Sequence, residues 1–203
     1  MIRPGFAGIL LVGMCVGVSA ATAATAPKES AASASVLAPG APVVSVPVVP
    51  LTAAAFAPFG EVIEQPAGTP PTQDLGIMRL WTGVAKARIS EQLEFSIMTV
   101  RDRPREFAEM ERHARSPLFL IGLSGEFRLA VAPPGVGPAG PTAGSVKVFL
   151  VKPGQAVLLH KGTWHAWPFP GGEDGAFIVA SRDGTTKKDR KSRPFRGRDI
   201  VKF

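Results

Sequence analysis

Three histidines stand in two short clusters, Glu111-Arg112-His113 and His160-Lys161-Gly162-Thr163-Trp164-His165. An imidazole titrates near neutral pH, so it serves as general acid, general base or metal ligand. Glu111 and His113 lie two apart and face one side of a strand, while Arg112 alternates away if that strand is regular. His160 closes an apolar run, and Gly162 permits a tight turn before His165. The catalytic candidates are therefore His113, His160 and His165. Glu111, His113 and His165 form the set that could hold a divalent metal, since three protein ligands suffice for an open catalytic site. Lys161, Arg112 and Arg79 are the candidate cations for an acidic ligand, Lys161 foremost because it adjoins His160. Trp164, with Trp81 and Trp167, could wall a pocket or simply pack. The only cysteine, Cys15, sits in an N-terminal apolar run, so no thiolate ligand, disulfide or cysteine nucleophile is expected in the mature chain.

Short strands must position these groups. Apolar runs at 77–81, 93–100, 107–113, 118–122, 126–131, 146–151, 156–160 and 176–180 read as strands. In one of them Phe127, Leu129 and Val131 alternate with Arg128 and Ala130, the period-2 pattern of a half-buried strand. Thr52 is a good N-cap for a short helix over 53–59, and Gly60 suits its end. The stretch 133–144 holds four Gly and four Pro and reads as a loop. Some eight short strands with turn signals predict an all-β sandwich or barrel.

The ends of the chain read differently. Arg3, the apolar run 6–18 and the small residues of 19–26 have the layout of a secretory signal peptide, with cuts open after Ala21, Ala23 or Ala26. A signal anchor is the alternative, but the run is short for a membrane span. Residues 27–50, rich in Ala, Pro, Ser and Val, read as a flexible linker. The domain then occupies 51–184, and 185–203 reads as a basic tail. The segment 182–199 carries a net +5 of the chain's +7, so the central domain is close to neutral. No aromatic residues interleave with the cluster 187–193. A solvated tail is expected rather than a nucleic-acid or lipid surface. The protein is expected to be exported, periplasmic or secreted, with no nucleic-acid partner and no stable membrane association after cleavage.

The two histidine clusters resemble the short motifs of the cupin superfamily. Glu111, His113, Leu118 and Gly125 occupy the places of the first motif, and Gly154, His160, Gly162, His165 and Phe169 those of the second. Further, Ala55-Phe56-Ala57-Pro58-Phe59-Gly60-Glu61-Val62-Ile63-Glu64, Asp74-Leu75-Gly76, Glu111-Arg112-His113 and the stretch from His160 to Trp164-His165 resemble segments of the ureidoglycolate lyase family. The likeness runs from about Leu51 to Ala180. It implies a cupin-type jelly-roll β-barrel with a short N-terminal helix, and an enzyme that cleaves ureidoglycolate, a small carboxylate, to glyoxylate and urea within allantoin degradation. It also implies a divalent metal (Ni, Mn or Zn) as the cofactor to test for and, by analogy with cupin pairing, a homodimer. The chain departs from the family at Leu118, where a Gln is usual at the place of a cupin metal ligand. It departs again at Asp74 for Asn, and at Thr82-Gly83 in place of a His-Asp pair. These departures favour a second reading, an exported cupin that binds a small carboxylate or sugar without turning it over. A third reading is a structural barrel plugged by apolar side chains such as Leu118 and Trp164.

Overall fold

The computed structural model of the protein describes residues 40–135 and 139–203. The expected signal segment 1–26 and the linker up to residue 39 lie outside the described residues. Among the described residues no helix is long and apolar enough to cross a membrane.

The first helix is Ala53–Phe56, shorter than its predicted span, and Thr52 caps it by accepting a hydrogen bond from the Ala55 N–H at 3.3 Å. It delivers Phe56 and Phe59 to the core, where both rings pack against Phe149. The chain then enters Gly60–Ile63, which pairs antiparallel with Ala156–Leu159. Gly60 is required by space: a Cβ there would overlap the Leu158 carbonyl.

Two large sheets face each other as an all-β sandwich. One runs Gly60–Ile63, Ala156–Leu159, Leu118–Gly122, Gly175–Arg182 and Leu93–Val100, with the last strand at its edge. The other runs Arg190–Pro194, Glu109–His113, Trp164–His165, Phe127–Ala132, Lys147–Val151 and Val48–Pro50, with Phe169–Pro170 also paired to Phe127–Ala132. Leu120, Val157, Leu159 and Phe177 of the first sheet meet Phe127, Leu129, Phe149 and Val151 of the second in a shared core. Inward and outward residues alternate along each strand, so this core selects the face that each functional side chain takes.

The strand Phe127–Ala132 is buried on both faces rather than half-buried, because Ala130 and Ala132 belong to a second apolar cluster on the outer side of their sheet. That cluster corrects the reading of both ends. Residues 43–50 are not a free linker: Val43–Ser45 pairs in parallel with Ile200–Lys202, and Val48–Pro50 with Lys147–Val151. Residues 185–203 are not a solvated tail. Arg190–Pro194 runs antiparallel to Glu109–His113, and Val201 pairs with Phe107. Val46, Phe195 and Val201 are buried there with Phe107, Met110 and Phe169. The predicted strand at 77–81 is reduced to Arg79–Leu80, half of a two-stranded hairpin with Gln73–Asp74.

Candidate functional site

Three adjacent strands of one sheet build the site. Glu111 and His113 project from Glu109–His113, His165 comes from Trp164–His165 opposite Glu111, and Arg190 opens the strand on the other side, opposite His113. Gly162, at φ +80°, makes the turn that aims the second histidine cluster, and its N–H donates to the His113 carbonyl at 2.7 Å. All four side chains line a cavity of about 350 Å³. The facing sheet supplies mainly apolar wall, including Met98, Leu118, Leu120 and Val179.

Hydrogen bonds fix the imidazole tautomers. His113 Nδ1 lies 3.2 Å from the carbonyl oxygen of Asp189, and His165 Nδ1 lies 3.2 Å from that of Thr163. A carbonyl only accepts, so each Nδ1 carries the proton and each Nε2 keeps its lone pair when the ring is neutral. The two Nε2 atoms converge on Glu111 Oε1, at 4.0 Å from His113 and 3.6 Å from His165. The other carboxylate oxygen, Oε2, accepts from Arg190 Nε at 2.6 Å. Burial pushes the Glu111 carboxyl upward, but in the acid range, where the rings are protonated, a hydrogen bond from His165 and the charges of His165, Arg190 and His113 outweigh it and bring its pKa down to about 2. Burial, then the neighbouring His165, pushes His113 below its ordinary value. The site thus pairs an ionised carboxylate with a neutral His113 at neutral pH. Ligand atoms of Glu111, His113 and His165 all lie within 4.8 Å of one another, a donor set of two imidazole nitrogens and one carboxylate oxygen that suits a divalent transition metal.

Of the catalytic, metal-binding and substrate-binding candidates from sequence, Glu111, His113 and His165 are brought together, and His160, Lys161, Arg112, Arg79 and Trp164 are not. His160 ends Ala156–Leu159 in the other sheet, is about half exposed, and faces Glu61 at 3.8 Å. The turn after it hands the chain from one sheet to the other, which separates the two histidines of one short motif. Arg112 and Trp164 point to the outer face, as their alternation with inward Glu111, His113 and His165 demands. There the Arg112 guanidinium stacks over the buried Trp164 ring at 4.7 Å. Lys161 is exposed and does not line the cavity. Arg79 pairs with Asp74 at 3.2 Å on the exposed hairpin. Trp81 donates to the Thr69 carbonyl, whereas Trp167 does line the cavity. The plugged barrel is overturned, since Leu118 lines an open space and Trp164 faces away from it.

Arg190, Thr186 and Asp189 are site residues that the sequence conceals. Within a run of Lys and Arg that lacks apolar periodicity, nothing marks Arg190 as the one that turns inward. Asp189 also accepts from the N–H groups of Ala114 and Arg115, at 3.2 and 2.7 Å, which ties the end of the histidine strand to the C-terminal segment.

Comparison with known proteins matches residues 43–196 to the family model described as ureidoglycolate lyase. The chain is 33% identical over 141 residues to a ureidoglycolate lyase of Chelativorans sp., covering 66% of this chain and 83% of that protein. It is 32% identical to the ureidoglycolate lyase of Azotobacter vinelandii over the same shares. Among solved structures it is similar to Bacillus subtilis oxalate decarboxylase, in a study of that protein's Mn(II) centres (TM-score 0.37, 18% identity, 51% of this chain and 24% of that one). A second is RmlC from Streptococcus suis (TM-score 0.35, 11% identity, 45% and 44%). With the family model spanning most of the chain and relatives covered over four-fifths of their length, the chain belongs to the ureidoglycolate lyase family.

Proposed function

We propose that this chain is an exported lyase that cleaves ureidoglycolate, or a closely similar small hydroxy acid, to glyoxylate and urea. The carrying observation is the convergence of two Nε2 lone pairs on an ionised Glu111 inside a small cavity. The volume lies at the low end of ligand pockets, about 300–1,000 Å³, and suits a small acid.

The chemistry needs little machinery. The Nε2 lone pair of His165 takes the proton of the substrate hydroxyl. The O–H electron pair becomes the carbonyl bond of glyoxylate, the C–N bond breaks, and its electrons go to the urea nitrogen. The imidazolium returns the proton to that nitrogen, so the enzyme ends as it began. Glu111 Oε1, 3.6 Å from Nε2, stabilises the transient imidazolium. His113, held neutral, offers a second acceptor for the hydroxyl, and its Asp189 contact keeps the ring oriented. In a metal-loaded site the same Nε2 lone pairs, with Glu111, would instead hold a divalent metal (Ni, Mn or Zn), which would supply Lewis acidity toward the hydroxyl oxygen in place of the imidazole base.

Leu118 favours a second reading. It lines the cavity at a place where the family resemblance implies a polar Gln, and it offers the substrate no hydrogen bond. In that reading the barrel binds a small carboxylate or sugar without cleaving it.

The deciding experiment is glyoxylate release from ureidoglycolate by the purified mature protein. It is measured after chelation and again with added Ni²⁺, Mn²⁺ or Zn²⁺, beside His113→Ala. Release that disappears in the variant supports the lyase. No release under any metal condition, with retained binding of small carboxylates, moves the assignment to the binding protein. Export follows from the layout of residues 1–26 and is tested by finding the processed chain outside the cytoplasm. A homodimer is supported by the apolar outer face of the sheet that ends at Leu93–Val100.

A further inference from the structure

A small hydroxy acid entering this cavity brings a carboxylate, and an anion beside ionised Glu111 needs a cation. Lys161, Arg112 and Arg79 do not line the cavity. Arg190 is the one Lys or Arg that does, among the described residues. Its guanidinium is held from two sides. Nε donates to Glu111 Oε2 at 2.6 Å, and the Trp167 ring, itself on the cavity wall, lies 5.6 Å from Cζ. Among the described residues the two Nη groups make no hydrogen bond to protein, and the side chain is 44% exposed. A guanidinium bound through Nε presents its two Nη groups as a planar fork, which matches the two oxygens of a carboxylate. Thr186 adds a hydroxyl on the same wall.

We propose that Arg190 is the carboxylate anchor of this site, set in place by Glu111 and Trp167, and that it gives the cavity its preference for acids over their neutral amides. The inference rests on the hydroxy-acid reading above and names the residue that enforces it. It also gives Glu111 two jobs, one per oxygen: Oε2 holds the anchor and Oε1 faces the imidazoles. The reacting carbon is thereby placed between the anchor and the bases.

Two measurements test it on the purified protein, each with wild type, Arg190→Lys and Arg190→Gln. Calorimetric binding of glycolate and of glycolamide separates the carboxylate contact from the rest of the site. The expected result is that Arg190→Gln weakens glycolate at least about tenfold and leaves glycolamide unchanged, so that the acid preference collapses. Arg190→Lys, which keeps the charge and loses the fork, should retain part of that preference. In turnover of ureidoglycolate, KM should rise far more than kcat falls, because an anchor acts on ground and transition states alike. Equal weakening of glycolate and glycolamide would reduce Arg190 to a prop for Glu111 and overturn the proposal. Unchanged glycolate affinity would overturn it too. If wild type cleaves nothing yet its glycolate binding depends on Arg190, the lyase reading fails and the anchor stands. If wild type cleaves ureidoglycolate and Arg190→Gln keeps its KM, the anchor fails and the lyase stands. A wild type that neither cleaves ureidoglycolate nor binds glycolate overturns both.

Discussion

Glu111 is surrounded by partners that keep it charged, and this has consequences for pH. Its carboxyl sits at about 2, below the ordinary 4.5, and His113 sits below its ordinary 6.5. In both cases the unfolded chain binds protons more readily than the folded one, so stability is complete at higher pH and is lost on acidification. His113 acts first, as pH falls below about 6.5. Glu111 follows between 4.5 and about 2. Urea midpoints measured from pH 7 down to pH 3 should therefore fall, and Glu111→Gln should flatten the acid part of that curve. A variant with the same acid slope as wild type would contradict the charge assignment. The geometry also ranks the histidines. His165→Ala should cut kcat/KM by about 10²–10⁴, the usual scale for loss of a general base. His160→Ala should stay within a few-fold, since that ring faces Glu61 on the surface. Comparable losses in both variants would mean that the exposed histidine reaches the chemistry after all.

Strands and turns decide which of these residues meet. The strand Leu93–Val100 forms over the span its apolar pattern predicts, and so does Leu118–Gly122. Glu111 and His113 could be placed on one face because alternation is a local property of a strand. The separation of His160 from His165 was not legible, since it depends on a crossover between sheets. Residues 43–50 and 190–202 conceal their strands for a related reason. Their prolines and charges look like linker and tail, and their strand character arises only by pairing with distant partners, Val43 with Ile200 and Arg190 with His113. Phe195 tests that correction. It is 1% exposed and packs 5.6 Å from the Phe107 ring, so Phe195→Ala should cost about 3–5 kcal/mol and lower the melting temperature. A free tail would show no change. Gly60→Ala should likewise destabilise by about 1–3 kcal/mol or more, because the added methyl meets the Leu158 backbone rather than a side chain that can move.

At the scale of the whole molecule, the five-stranded sheet presents an unusual outer face. Phe95 and Ile97 are 69% and 70% exposed on its edge strand, and Leu123 is 53% exposed just beyond Leu118–Gly122. Ile97 is in register with Ile178, which is paired in turn with Ile121, so an apolar row runs inward from the edge. An edge strand with uncovered apolar side chains invites pairing with other chains unless something covers it. The described terminal segments 43–50 and 190–203 are spent elsewhere, with Val46, Phe195 and Val201 in the second core. A second copy of the chain fits the remaining demand, because two like apolar faces related by a twofold axis cover each other. Sedimentation velocity should accordingly give a dimer, and Phe95→Lys with Ile97→Lys should give a folded monomer. The same strand lends Ser96, Ile97, Met98 and Thr99 to the cavity wall. Separating the copies should therefore raise KM for the acid as well as halve the mass. A double variant that turns monomeric with its KM unchanged would confine the pairing face to assembly. A wild type that sediments as a monomer would remove the pairing altogether.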